Sequence, residues 1–141
     1  MDTSKQYIKM CEKAEEIQKI LDGDFGDDDD RVVAYKPTPH RPQGGGWLVK
    51  FSWPYECPLD EYFVYLPRQD QLQEMVHIDG VCDGVQFMAR LDRFDCFVWP
   101  EEMGDSVNLN YVASMEQLWL AFVMKELYRK AWSGEEWLTS K

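Results

Sequence analysis

Seven consecutive residues, Leu118 to Met124 (LWLAFVM), are apolar at every position. They lie in a segment with strong helix signals. Ser114 and Gln117 have capping-box spacing, so a hydroxyl and an amide satisfy two backbone donors at the start. Glu116 sits where the helix dipole favours an anion. From Lys125 the pattern turns amphipathic, with Leu127, Tyr128, Ala131 and Trp132 facing in. Arg129 and Lys130 fall in the last turn, and Gly134 supplies a C-terminal cap position. The spacing predicts one helix from about Met115 to Trp132. A helix that is apolar all round cannot lie on a surface and needs other elements on every side. The fold must therefore be built around it. The run is also far too short to span a bilayer.

The surrounding elements read as a mixture. Tyr7, Met10, Ala14, Ile17 and Leu21 recur every three or four residues, which predicts a helix over 5–21 with Thr3 and Gln6 as a capping box. Cys11 borders that stripe, and Lys9, Glu12, Lys13, Glu16 and Lys19 make the opposite face. Gly23 stops the helix. Residues 22–30 (DGDFGDDDD) form a loop, because successive aspartates repel and glycine disfavours regular structure. Arg31 to Lys36 is a short strand. Pro37, Pro39, Pro42 and Gly44 to Gly46 make a surface connection. Trp47, Val49, Phe51 and Trp53 alternate with Leu48, Lys50 and Ser52, as in a strand with one buried face. Tyr62 to Leu66 is a third strand. Pro67 opens a helix of about ten residues, with Leu72, Met75 and Val76 inward and Gly80 as its end. Residues 84–98 fit two periods: Phe87, Met88, Leu91, Phe94 and Val98 suit a helix, while Val85, Phe87, Ala89 and Leu91 suit a strand. The cluster Arg90, Asp92, Arg93 and Asp95 favours a helix with a charged face.

The expected fold is α+β, a single globular domain over 1–141. Three or four helices pack on a small antiparallel sheet of residues 31–36, 47–53 and 62–66, with the C-terminal helix central. A chain of 141 residues buries about two thirds of its unfolded surface and needs no metal or disulfide staple. Six Trp, seven Tyr and seven Phe supply a firm core.

The net charge of −11 argues against direct nucleic-acid binding and against an anionic membrane, since both need cations on the protein. Residues 1–70 hold nine basic and fourteen acidic groups, and residues 71–141 hold six and twelve, so the acidity is spread. Cys11, Cys57, Cys82 and Cys96 form no close pair. The first 30 residues carry alternating Lys and Glu without an apolar core, so no signal peptide is read there. Unpaired thiols without a secretion signal point to a reducing cytoplasm.

Each potential site has a plain alternative. The acidic loop around Asp27, Asp28, Asp29 and Asp30 fails as an EF-hand: counting from Asp22, the sixth position is Asp27 and the twelfth is Val33, where Gly and Glu are needed. Counting from Asp24, the twelfth is Tyr35. A solvated loop accounts for the run. Cys57, Cys82, Cys96, His40 and His77 lack the close ligand pairs of a structural zinc site, with only His77 and Cys82 near each other; buried inert thiols are the simpler account. No spacing places a nucleophile beside a base. Gly44-Gly45-Gly46 lacks the Lys-Ser/Thr of a phosphate loop. No cofactor, metal or catalytic residue is expected. Trp47, Phe51, Trp53 and Tyr55 suit core packing, but an exposed member of that group would make an interaction hot spot. These aromatics and Asp27 to Asp30 are the candidate interaction surface.

Two stretches, Leu66 to Val76 (LPRQDQLQEMV) and Ser114 to Leu138 (SMEQLWLAFVMKELYRKAWSGEEWL), resemble small uncharacterised proteins of bacteriophages and prophages of Gram-positive bacteria. Such proteins often open with a helix like Tyr7 to Ile17. Residues 22–65 fall outside the resemblance. It transfers no activity and no functional residue. What it implies is a setting: a phage or prophage protein working inside a bacterial host. Together with the lack of a catalytic constellation and the acidic surface, it makes the leading expectation a non-enzymatic accessory or interaction protein with a host or phage protein as partner. Two other readings stand beside a non-enzymatic interaction protein. One is an acidic DNA mimic that blocks a DNA-binding or defence protein, although lysines interleave with the acids on 5–21. The other is an enzyme with an unrecognised site. Oligomeric state is not legible.

Overall fold

The computed structural model describes residues 2–22, 32–35, 48–50, 63–99 and 111–139. Among them are five α-helices and two small antiparallel sheets, so the fold is α+β. They gather in two compact units, within Asp2–Pro67 and within Arg68–Lys141.

In the first unit, the helix expected over 5–21 is two helices, α1 (Lys5–Lys13) and α2 (Glu15–Asp22). Ala14 leaves helical geometry at φ −89°, ψ 69°. The Cys11 carbonyl, which a continuous helix would offer to residue 15, instead accepts from the Ala14 N–H at 3.1 Å and from Gln18 Nε2 at 3.2 Å. The cap is Ser4, not Thr3: its hydroxyl accepts from the Tyr7 N–H at 3.2 Å. The apolar stripe survives the break, and Tyr7, Met10, Ala14, Ile17 and Leu21 are all buried.

The three expected strands form one sheet in the order β2 (Leu48–Lys50), β1 (Val32–Tyr35), β3 (Phe63–Leu66). Val33 lies opposite Lys50 on one side and Tyr65 on the other. Consecutive residues Val33 and Ala34, and likewise Val64 and Tyr65, are buried. Since neighbours on a strand point to opposite faces, both faces of this strand pair are covered. α1 and α2 lie against β3. Two polar ties fix them there. The Tyr7 hydroxyl donates to the Pro67 carbonyl. Gln18 pairs with the backbone of Tyr65 as a neighbouring strand would: its Oε1 accepts the N–H at 2.8 Å and its Nε2 donates to the C=O at 2.9 Å. The amide thus closes part of an edge that would otherwise invite a foreign strand.

In the second unit, α3 (Gln69–Glu74) is shorter than expected. Pro67 lies outside it, and the Arg68 N–H at its start donates to Gln71 Oε1 at 2.9 Å. Leu72 and Val76 are buried, as expected. A single 3-10 turn, Asp83–Val85, leads into α4 (Gln86–Val98), so the helical period wins over the strand period in this stretch. α5 (Met115–Tyr128) is the core element, with every residue from Trp119 to Met124 buried and α3, α4 and the following strand around it. Ser114 caps it through the Gln117 N–H at 3.2 Å, and the buried Gln117 amide reaches back to the Ala113 N–H at 2.9 Å.

The end of α5 departs from expectation. Arg129 adopts a left-handed conformation at φ 57° and stops the helix, and β4 (Lys130–Trp132) begins at once. Ala131 is exposed rather than packed, and Leu127 is also largely exposed. β4 pairs with β5 (Trp137–Thr139), bringing the Trp132 and Trp137 rings to 5.0 Å. Gly134 is a turn residue of this hairpin at φ 99°, not a helix cap, and a Cβ there would meet the Tyr111 ring at 3.1 Å. The burial of two tryptophans explains the switch: β periodicity places Trp132 and Trp137 opposite each other, which a continuing helix would not.

Candidate functional site

The residues singled out as an interaction surface, Asp27 to Asp30, Trp47, Phe51, Trp53 and Tyr55, lie outside the described residues, as do His40 and Cys57. The remaining reactive groups are dispersed. Cys11 is fully buried, and burial pushes its thiol up, away from the nucleophilic thiolate. Cys82 and Cys96 are exposed rather than buried, and His77 is exposed too. Among the described residues no three His, Cys, Asp or Glu side chains gather as metal ligands. No helix among them is long and apolar enough to cross a membrane.

What the structure does assemble is an unusual helix, α4. Its inner face runs Gln86, Arg90, Arg93, Phe97, at the 4-3-4 spacing that keeps residues on one side of a helix. Gln86 is buried and clamps the preceding loop: its Oε1 accepts the Ile78 N–H at 2.9 Å, and its Nε2 donates to Ile78 O and Val81 O, both at 2.8 Å. Arg90 Nε donates to the Val76 carbonyl. Arg93 pairs with Glu126 of α5 at 3.2 Å. Aromatic contacts complete the attachment. Phe94 stacks on Trp119 with centroids at 4.0 Å and 6° between planes, and Phe97 meets Phe122 edge-on at 5.4 Å.

The outer face carries Met88, Asp92 and Asp95, and Trp99 follows just past the end of the helix. Met88 is 66% and Trp99 72% exposed, and beside them Phe87 is 52% and Val85 47% exposed. Asp92 and Asp95 are exposed as well. Half-buried Leu91 and Val98 join Phe87 along one flank. The four charges expected to share one face are therefore sorted by sign. Arg90 turns toward the Val76 carbonyl, Arg93 reaches Glu126 while staying exposed, and both aspartates turn out among apolar side chains.

Sequence reasoning found the helix but not this sorting. Phe87, Met88, Leu91, Phe94 and Val98 fit one helical stripe, and the period gives no signal that Phe87 and Met88 are exposed. Elsewhere the charges interleave: on α1 and α2 the acids Glu12, Glu15 and Glu16 alternate with Lys9, Lys13 and Lys19. That is not the continuous carboxylate array a DNA mimic presents. No family model, curated protein or solved structure matches the chain.

Proposed function

We propose that this chain is a non-enzymatic interaction protein, an accessory factor of a phage or prophage that works by holding a protein partner inside the bacterial host. The observation that carries the reading is the outer face of α4. Single exposed apolar residues are ordinary, but Val85, Phe87 and Met88 are exposed together at the start of α4, and Trp99 is exposed just past its end. Contiguous apolar patches on a soluble surface mark contact sites, and Trp is among the residues most enriched at interaction hot spots. The phage setting rests on the resemblance of Leu66 to Val76 and Ser114 to Leu138. Net charge −11 supports a protein partner over nucleic acid.

The test compares wild type with a Phe87→Glu/Met88→Glu variant in affinity capture from a bacterial host lysate, read by quantitative mass spectrometry. Phe87 is 52% and Met88 66% exposed, and the comparison is made with a variant whose thermal midpoint matches wild type, using Met88→Glu alone if the double change lowers it. The reading expects one or a few proteins held by wild type and lost by the variant. Identical captured sets would overturn it.

A further inference from the structure

We propose that the outer face of α4 receives a basic amphipathic helix of the partner protein. This rests on reading the chain as an interaction protein and adds the chemistry of what is held. The apolar part of the face, Phe87, Met88 and Leu91 on α4 and Trp99 just past its end, extends along the length of the helix, and a second helix laid alongside is the element that covers such a stripe. The charge on the face decides the sign of the partner. Asp92 and Asp95 lie between Met88 and Trp99 and are exposed, and no basic residue belongs to that stripe among the described residues. Arg90 and Arg93, the cations of the same helix, are committed on the opposite side to Val76 O and to Glu126. Asp79 and Asp83 precede the helix and are also exposed. A partner helix must therefore bring apolar anchors flanked by Lys or Arg. Cationic flanks are attracted during encounter and fix the register, whereas like charges would suppress docking. The same argument disfavours a second copy of this chain, which would set Asp92 and Asp95 against their equals. It also disfavours an anionic lipid surface.

The probe is a fluorescein-labelled 18-residue helical peptide of Leu and Lys, with a Leu/Gln peptide of the same pattern as its uncharged counterpart. Binding is read by anisotropy against the full chain, its Asp92→Lys/Asp95→Lys variant, its Met88→Ser/Trp99→Ser variant, and a Glu135→Lys/Glu136→Lys control with the same change in net charge. The proposal expects the Leu/Lys peptide to bind wild type. It expects the Asp92/Asp95 reversal to weaken binding about tenfold at low salt, well beyond the control, with the difference fading above about 0.5 M salt. The Met88/Trp99 variant weakens it as well. If the Leu/Gln peptide binds equally well and charge reversal changes nothing, the face docks helices without regard to charge. The inference then fails while the interaction reading stands. If the two charge reversals weaken binding equally, attraction is to the overall charge and the inference also fails. Self-association of the chain through α4 in sedimentation would overturn it too. Loss of lysate capture by the α4 variant, with no peptide bound, would separate failure of the helix class from failure of the interaction reading.

Discussion

Replacing Gln86 with leucine removes the clamp that attaches α4 to the loop before it. The native amide accepts the Ile78 N–H at 2.9 Å and donates to Ile78 O and Val81 O at 2.8 Å each, from a side chain only 5% exposed. Leucine keeps most of the volume and makes none of these bonds. A buried polar group left unpaired costs about 1–3 kcal/mol. Val81 is half-buried, so its carbonyl can recover a water; the two Ile78 groups lie in a buried bond pair and cannot. Two such groups set the loss at about 2–6 kcal/mol. With a mid-range urea m-value of about 2 kcal/mol per M, the midpoint should fall by about 1–3 M. Amide hydrogen exchange gives a second, local readout. The Ile78 amide should lose protection in the Gln86→Leu variant and keep it in a Gln18→Leu variant, where the Tyr65 amide is the one that loses it. A Gln86→Leu midpoint within about 0.3 M of wild type, with Ile78 protection unchanged, would refute the assignment of the clamp.

Gly134→Ala should destabilise the protein by more than about 1 kcal/mol, because the position is held at φ 99° and the new Cβ would meet the Tyr111 ring at 3.1 Å; the thermal midpoint reads this, and an unchanged value would contradict the hairpin geometry. Asp70 is held below the usual carboxylate range, first by its hydrogen bonds from Arg68 at 3.0 Å. A carboxylate with a lowered folded pKa adds stability that is present above its unfolded pKa of about 3.9 and disappears as pH falls through the folded value. Wild type should therefore exceed Asp70→Asn in stability at pH 6 by no more than the about 0.2–1 kcal/mol of an exposed pair. That advantage should shrink as pH falls below the unfolded value and disappear once pH has passed through the lowered folded value. An advantage that grows as the solution is acidified would contradict the sign.

The parts of this fold that follow from apolar spacing were legible. The buried stripe of Tyr7 to Leu21, the three paired strands and the buried run Trp119 to Met124 all follow from periodicity, because burial of large side chains dominates their energy. What periodicity does not encode is where a helix breaks or stops when another geometry buries more. Ala14 breaks one because the Gln18 amide serves the Cys11 carbonyl and Tyr65. Arg129 stops one although no glycine marks the place, because the hairpin it opens buries Trp132 against Trp137. The outer face of α4 was hidden for a related reason. Counting apolar residues reveals a helix, but which face is inner follows from Gln86 bonding the loop just before it, Arg90 reaching Val76 and Arg93 reaching Glu126, none of which apolar spacing encodes. The aromatics and aspartates between Asp27 and Tyr55, which looked most like a surface, fall outside the described residues.

The account centres on α4 carrying its contact face outward, acidic and apolar at once. Titrating an isotope-labelled chain with the Leu/Lys helical peptide and following its backbone amide shifts tests this most directly. The account predicts that the largest shifts fall on residues 85–99, led by Met88, Asp92, Asp95 and Trp99, with Gln86 and Arg90 on the inner face changing least. Shifts spread over the acids of α1, α2 and the β4–β5 turn, with α4 unmoved, would contradict it.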